Sequence, residues 1–195
     1  MNLILASSSR SRSEMLRRAG LEFEAVCPDV DEDAVKEAMA GSPPQAIADA
    51  LAELKACAIS TKHPEAFVIG ADQVLDFEAE LVSKSASMAE AAALLRRLRG
   101  KSHRLVTAAV LAKAGAPVWR HVEISTLHMR AFSDDFLETY LAREGEGLLA
   151  GVGCYRLEGL GAQLFDKIEG DYFAILGLPL LPLLAALRQH YILAP

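Results

Sequence analysis

The sequence predicts an α/β fold built on a mixed β-sheet with flanking helices. Helical and strand segments alternate through the first half of the chain, whereas strands follow one another in the middle. The 195 residues, 52% of them hydrophobic, suffice for one well-buried domain. Because no linker, internal repeat or low-complexity segment divides the chain, we expect residues 1–195 to form a single domain of two lobes.

The first half of the chain contains three predicted strands and two predicted helices. Buried apolar runs indicate strands at Leu3–Ala6, 23–27 and 67–69, and apolar periodicity with end signals indicates helices at 12–19 and 43–60. Two prolines open the second of these helices. The acidic stretch PDVDED, residues 28–33, is predicted to be a turn.

The second half is predicted to contain four strand segments and three helices. The strand segments, the first of them a hairpin that turns at Glu78, are expected at 73–82, 103–112, 118–132 and 164–168. Ser87 and Glu90 form a capping box that opens a helix ending near residue 100. Ser133 opens another helix, which ends near residue 143, and the last helix is expected at 178–189.

Composition and charge disfavour several classes of protein. The formal net charge of −6 argues against a nucleic-acid-binding protein, which needs clustered basic surface. The three cysteines are too few and too widely spaced for a disulfide framework or a zinc site. The sequence shows no secretory signal, and its most apolar stretch, residues 174–187, is short and interrupted by two prolines. We therefore expect a cytoplasmic protein without a membrane partner.

The opening stretch LILASSSRSR is a candidate phosphate site. A strand that runs through serines into a helix places hydroxyls and free backbone N–H groups at a helix N-terminus, which favours an anion. Arg10 and Arg12 add guanidinium groups that match phosphate oxygens. An ordinary serine-capped helix with two exposed arginines explains the same residues equally well.

A second candidate region is FVIGADQ, residues 67–73. Asp72 is expected just past the end of a buried strand, where open α/β sheets keep their ligands, although aspartate is also common in turns. Gln73 is either a residue that contacts a base or an ordinary strand residue. Lys55 and Lys84 are candidates to hold an anionic ligand, and solvated lysines are the alternative.

Two more segments admit a functional and a structural interpretation. The carboxylates of PDVDED suit Mg²⁺, which takes one or two protein carboxylates beside water and phosphate, but a solvated acidic turn fits too. The closely spaced glycines of AGVGCYRLEGLG suggest a backbone that approaches a ligand, with Glu158 available for polar contacts. Tight turns in a mixed sheet would equally explain those glycines.

Taken together, these segments resemble the Maf nucleotide pyrophosphatases, a family similar in fold to the inosine triphosphate pyrophosphatases. The resemblance is carried, in chain order, by LILASSSRSR, PDVDED, LAELKA, FVIGADQVL and ILGLPLLPLL. It implies an elongated α/β protein whose two lobes enclose a central cleft, and a homodimer. It also implies hydrolysis of a nucleoside triphosphate to monophosphate and pyrophosphate with Mg²⁺ or Mn²⁺, as house-cleaning of the nucleotide pool.

The resemblance also assigns roles to particular residues. Asp72 would be the proton acceptor that activates water, and Glu32 would share the metal with Asp72. The triphosphate would be held by Ser7, Arg12, Lys55 and Lys84. Because the family is associated with septum formation, a non-catalytic nucleotide-sensing or division-inhibiting protein is the alternative function.

Departures from the family pattern bear on the base. The family's usual residues are replaced by Ser9-Arg10 in the opening motif and by Ser83-Lys84-Ser85 around the second lysine. The branch that acts on thymidine and uridine triphosphates has an aspartate-lysine-alanine-glycine motif where this chain reads AGVGCYRLEG. That region resembles the 7-methylguanosine triphosphate branch, and by analogy base choice would be set by Ser11, Gln73 and Glu158.

Overall fold

The computed structural model describes residues 2–194 and confirms the predicted α/β fold with a mixed sheet. Seven strands are observed over these residues: β1 Leu3–Ala6, β2 Glu24–Val26, β3 Phe67–Phe77, β4 Glu80–Val82, β5 Ser102–Lys113, β6 Ala116–Met129 and β7 Phe165–Glu169. Their order is β2-β1-β3-β5-β6-β7, and β4 pairs with β3. The β1 pairs are parallel, whereas β3 with β4 and β6 with β7 are antiparallel.

Seven α-helices accompany the strands over the same residues. They are α1 Arg10–Arg18, α2 Glu32–Ala38, α3 Pro44–Lys62, α4 Met88–Leu98, α5 Asp134–Glu144, α6 Tyr172–Ile175 and α7 Leu180–Gln189. Two 3-10 helices, Gly145–Ala150 and Leu160–Leu164, lie between α5 and β7. Within the described part of the chain, no helix combines the length and apolar character needed to cross a membrane.

The chain forms two compact units. The first comprises the described residues up to Gln73, Val106–Glu123 and the described residues from Asp171 onward. In it, β1 lies between β2 and β3, and every β1 residue is buried. Leu3 and Leu5 pack in one apolar cluster, and Ile4 and Ala6 pack in another. The centre of this unit is therefore covered on both faces of the sheet, and a ligand must approach at the strand ends.

The second unit comprises Val74–Leu105 and Ile124–Gly170. Its helices contribute buried leucines such as Leu95 and Leu98 of α4 and Leu137 of α5. The His103 ring packs near those of Tyr155 and Phe165, and His103 Nε2 lies 2.7 Å from the Tyr155 hydroxyl. An aromatic cluster around the buried His103 therefore anchors the segment that follows α5.

Several element predictions need correction. The stretch PDVDED is not only a turn, because Asp31 caps α2 by accepting a hydrogen bond from the Ala34 amide at 2.9 Å. Helix α6 was not predicted. Strand β3 is continuous from residue 67 to residue 77, so Asp72 lies inside a strand rather than past its end. The predicted hairpin turn is present at Glu78 and Ala79, both of which have positive φ.

Candidate active site

Asp72 lies in the first unit, at the point where β3 extends beyond the end of the neighbouring strand β1. Strand β1 ends at Ala6, which pairs with Gly70, so β3 continues past that end. Ser7 and Asp72 both follow this point, and both are buried. Asp72 therefore lies beyond the carboxyl end of β1, whereas β3 itself extends further and pairs with β4 and β5.

Close packing of α3 on β3 brings Lys55 to Asp72. Gly70 faces α3, and a Cβ atom at that position would lie 2.6 Å from the Ala56 backbone nitrogen, closer than real Cβ atoms approach. The missing side chain allows the helix to lie directly against the strand. Lys55, the residue before Ala56 on α3, is only 6% exposed, so it is a buried lysine rather than the solvated one that the sequence left open.

Lys55 joins two carboxylates. Its Nζ lies 2.6 Å from Asp72 Oδ1 and 2.9 Å from Glu32 Oε1. Glu32 is the first residue of α2, so the Asp31 cap fixes the backbone from which its side chain extends. Two carboxylates share one ammonium group, and these three side chains together carry one excess negative charge.

This donor set suits a divalent cation. Mg²⁺ and Mn²⁺ prefer oxygen ligands, and Mg²⁺ commonly binds through one or two carboxylates with substrate phosphates and water completing its shell. Glu32 and Asp72 are such a pair, since both contact the same cationic nitrogen. Among residues 2–194, no group of three or more His, Cys, Asp or Glu side chains is placed to hold a metal ion.

Arg12 and Ser7 lie in the same unit as Asp72, and Arg12 provides a second positive charge there. Arg12 Nε donates to the Gly177 carbonyl at 2.7 Å, and Nη1 donates to Ser7 Oγ at 3.3 Å. Burial lowers the pKa of the Arg12 guanidinium, while Asp72 and Glu32 act in the opposite direction. The carboxylates are therefore near enough to influence Arg12. The guanidinium nevertheless remains a cation at neutral pH.

The serine-rich opening also serves as the start of α1. Ser9 is the N-cap and accepts a hydrogen bond from the Arg12 amide, as a simple serine cap would. Arg10, by contrast, is exposed and pairs with Glu14 at 2.8 Å. Of the two arginines that the sequence offered, Arg12 is the one directed toward Ser7. Ser11 is exposed, and its hydroxyl lies 3.5 Å from that of Ser9.

Gln73 is tied to the C-terminal part of the unit. Its amide nitrogen lies 2.9 Å from the Thr107 hydroxyl and donates to the carbonyls of Ala174 at 2.9 Å and Ile175 at 3.1 Å. Sequence reasoning did not identify Thr107 or the Gly177 carbonyl. The only sequence signals were the polar Thr107 in the otherwise apolar run of β5 and the glycine of the GLP stretch.

Lys84 and Glu158 belong to the second unit. Lys84 is exposed after β4, and Glu158 is exposed in a turn, where its carboxylate lies 3.5 Å from Arg156 Nε. The neighbouring Gly153 packs against the Tyr155 ring, and Gly161 packs against the Arg156 backbone. Tight internal packing thus accounts for these two glycines.

Comparison with known proteins places the chain in a family. The model of Maf-like proteins matches residues 2–190, nearly the whole sequence. The chain belongs to the Maf family. A nucleoside triphosphate pyrophosphatase of Granulibacter bethesdensis is 55% identical to this Maf chain over 192 residues, which cover 97% of this chain and 98% of the relative.

Two further proteins are similar to this Maf chain. A 7-methyl-GTP pyrophosphatase of Brucella abortus is 46% identical over 192 residues, which cover 97% of this chain and 96% of that protein. Among solved structures, a HAM1 protein from Coxiella burnetii matches 68% of this chain and 74% of its own chain, with 18% identity and a TM-score of 0.45. The family resemblance seen in the motifs is therefore confirmed by full-length relatives.

Proposed function

We propose that this Maf chain is an enzyme that hydrolyses a nucleoside triphosphate to the monophosphate and pyrophosphate, with Asp72 as the proton acceptor. The observation that carries the proposal is the convergence of Glu32 and Asp72 on the buried Lys55. The near full-length relatives with pyrophosphatase names support the same reaction.

Each residue of the cluster has a chemical task in this proposal. Asp72 is an acceptor-only group when ionised, so it can take a proton from a water molecule directed at the α-phosphorus. Lys55 and Arg12 offset the negative charge of the triphosphate. Ser7 Oγ already accepts from the Ser9 amide at 3.1 Å and from Arg12, which leaves its O–H to donate to a phosphate oxygen.

Glu32 and Asp72 are the proposed ligands of Mg²⁺ or Mn²⁺. When bound, the cation supplies charge neutralisation on the phosphate oxygens. Lys55 and Arg12 offset the charge of the two carboxylates, whose oxygens are the ligands that such a cation prefers. We expect pyrophosphate release to stop on dialysis against EDTA and to return on addition of Mg²⁺ or Mn²⁺. Full activity of the EDTA-treated protein would contradict the metal assignment.

We further propose that the substrate is a 7-methylguanosine-type triphosphate. The proposal is supported by the AGVGCYRLEG segment and by the relative with that named activity. A carboxylate such as that of Glu158 accepts hydrogen bonds from the N1–H and exocyclic amine of guanine. The exposure of Glu158 on a turn leaves it accessible to such a ligand.

The substrate proposal is tested by pyrophosphate release from 7-methylguanosine, thymidine, uridine and inosine triphosphates. We expect the highest kcat/KM for the methylated guanine form, and we expect Glu158→Gln to reduce that preference. Glu146→Gln is the matched control, because Glu146 is an exposed glutamate in the same unit. Preference for a pyrimidine form would overturn the substrate proposal and leave the reaction intact.

The homodimer and the house-cleaning role extend this proposal. Sedimentation equilibrium of the full chain should give twice the monomer mass of 21.0 kDa. Deletion of the gene should raise the cellular level of modified nucleoside triphosphates, and the Asp72→Asn protein should fail to restore it. Restoration by that variant would instead support the non-catalytic function.

A further inference from the structure

We propose that Thr107 and Gln73 are positioning residues. By binding the carbonyl groups at the C-terminal end of α6, they fix the position of the Arg12 guanidinium. This inference rests on the proposed role of Arg12 in holding the triphosphate. All of the residues involved belong to the first unit, and each link between them is a hydrogen bond of the structure.

The first link joins two strands to α6. Thr107 on β5 is 1% exposed and donates its hydroxyl proton to the Ala174 carbonyl at 2.9 Å. The Gln73 amide on β3 donates to the carbonyls of Ala174 and Ile175 and also contacts the Thr107 hydroxyl. An amide and a hydroxyl from neighbouring strands therefore bind the last carbonyls of one short helix.

Helix α6 depends on such partners for its position. It has four residues, too few for appreciable stability of its own, and its last carbonyls lack partners within the helix. At its other end, Asp171 caps the helix by accepting from the Ala174 amide at 2.7 Å. An apolar side chain at position 107 or 73 would leave buried carbonyl oxygens without these donors.

The second link runs from α6 to Arg12. The Gly177 amide donates to the Ala174 carbonyl at 2.9 Å, so Gly177 is held by the same oxygen that Thr107 and Gln73 bind. The Gly177 carbonyl in turn accepts from Arg12 Nε at 2.7 Å. Gly177 has φ of +108°, and a Cβ there would lie 3.4 Å from Arg12 Nε, so glycine suits both the backbone and the contact.

These hydrogen bonds connect the sheet to the Arg12 guanidinium without a break. Because Nε is fixed on Gly177, the Arg12 Nη groups are left to face Ser7 and a phosphate. Gln73 uses its amide nitrogen within the protein, so its effect on the substrate passes through α6 rather than through a nitrogen contact to the base. Thr107 has the same indirect role.

The experiment compares Thr107→Val, which keeps the shape and loses the hydroxyl, with Thr107→Ser, which keeps the hydroxyl. For the best nucleoside triphosphate of the wild-type protein, we expect Thr107→Val to raise KM about tenfold with kcat changed less than about threefold. Thr107→Ser should restore KM to within about twofold of the wild-type value. Unchanged KM in Thr107→Val, or no rescue by serine, would overturn the proposal.

A double-mutant cycle separates positioning from a general loss of packing. In an Arg12→Met background, Thr107→Val should change kcat/KM by less than about twofold, because the group that it positions is absent. The same tenfold loss in that background would show that Thr107 acts independently of Arg12. If Thr107→Val does not fold, Gln73→Met removes the other donor and enters the same cycle.

Hydrogen exchange gives a readout that does not depend on turnover. Amides of residues 174–177 should exchange faster in Thr107→Val than in Thr107→Ser, because the carbonyl end of α6 is released. Equal exchange in the two variants would contradict the link to α6. Absence of pyrophosphate release by the wild-type protein would defeat the proposed function instead, so the two failures are distinguishable.

Discussion

Strand β3 carries two buried aspartates with different surroundings. Asp72 is 7% exposed and contacts Lys55, a buried lysine that also binds Glu32. Asp76 is 5% exposed, and its Oδ2 accepts from both Nε and Nη2 of Arg104, whose side chain is 50% exposed. The two carboxylates therefore share a strand and a degree of burial, and they differ in how their charge is balanced.

The difference teaches that burial of a carboxylate alone does not indicate a site. Asp76 and Arg104 balance each other, and the half-exposed guanidinium keeps part of its hydration, so this pair needs no further ion. Around Lys55 two carboxylates meet one buried ammonium, and their oxygens form a ligand pair that suits a divalent cation. Convergence of a second carboxylate, that of Glu32, on the same buried lysine, rather than burial of the aspartate itself, distinguishes the candidate active site.

The largest expected effect is a fall in kcat, and it distinguishes Asp72 from Asp76. Asp72→Asn should lower kcat by about 10²- to 10⁴-fold, because the amide cannot accept the proton from water. The fold should remain, since Glu32 still pairs with Lys55 in that variant. Steady-state pyrophosphate release and thermal unfolding measure the two properties. An Asp72→Asn protein with wild-type turnover would remove Asp72 from the reaction.

The second effect concerns the unit that contains Asp76. Burial, with a smaller contribution from His128, lowers the pKa of His103 from 6.5 to about 4. Between pH 6.5 and pH 4 the unfolded chain then binds a proton at His103 that the folded chain does not. The free energy of unfolding therefore keeps its full value with respect to His103 above pH 6.5 and falls as the pH drops toward 4. We expect a loss of roughly 3 kcal/mol over this range.

Urea unfolding of the wild type and of His103→Phe between pH 7 and pH 4 checks this expectation. The phenylalanine variant should lose the part of the pH dependence that His103 causes. His121→Phe is the matched control, because His121 is only half-buried and should leave that part unchanged. An identical pH dependence in wild type and His103→Phe would contradict the assignment.

A third prediction acts on the packing that brings Lys55 to Asp72. Gly70→Ala should destabilise the protein by about 1–3 kcal/mol, because the new methyl group meets the backbone of α3. It should also lower kcat, since Lys55 is displaced from Asp72 while the Asp76 pair is untouched. Gly147→Ala, at a glycine with open space around it, should change stability by less than about 0.5 kcal/mol.

The smallest effect is expected for Asp76. Asp76→Asn should lower the free energy of unfolding by about 1 kcal/mol, because a half-exposed arginine loses part of a buried partner. The kcat should stay within about threefold of wild type. A loss of turnover comparable with that of Asp72→Asn would show that the two carboxylates do not differ in the way proposed.

Much of the fold was predictable because its signals are local. The apolar run of Leu3–Ala6 gave β1 with its observed bounds, and the Ser87 and Ser133 caps gave the starts of α4 and α5. Helix α6 was missed because four residues show no periodicity. PDVDED was predicted as a turn because aspartates favour turns and caps alike, and Asp31 is a cap.

The site was predictable in its residue types and not in its pairings. Asp72, Lys55 and Glu32 were candidates from their motifs, but a helical wheel could not show that Lys55 is buried between two carboxylates. The Asp76 pair with Arg104 and the Thr107 contact with Ala174 join residues far apart in sequence. Such contacts depend on strand order, which one sequence does not specify.

The most direct test of the proposed two-carboxylate site is the Mn²⁺ dependence of pyrophosphate release in three matched proteins. Wild type and Asp76→Asn should be activated at the same Mn²⁺ concentration, whereas Asp72→Asn should show no activation at any concentration. Equal activation of Asp72→Asn, or loss of activation in Asp76→Asn, would contradict the claim that the Glu32, Lys55 and Asp72 cluster is the catalytic centre.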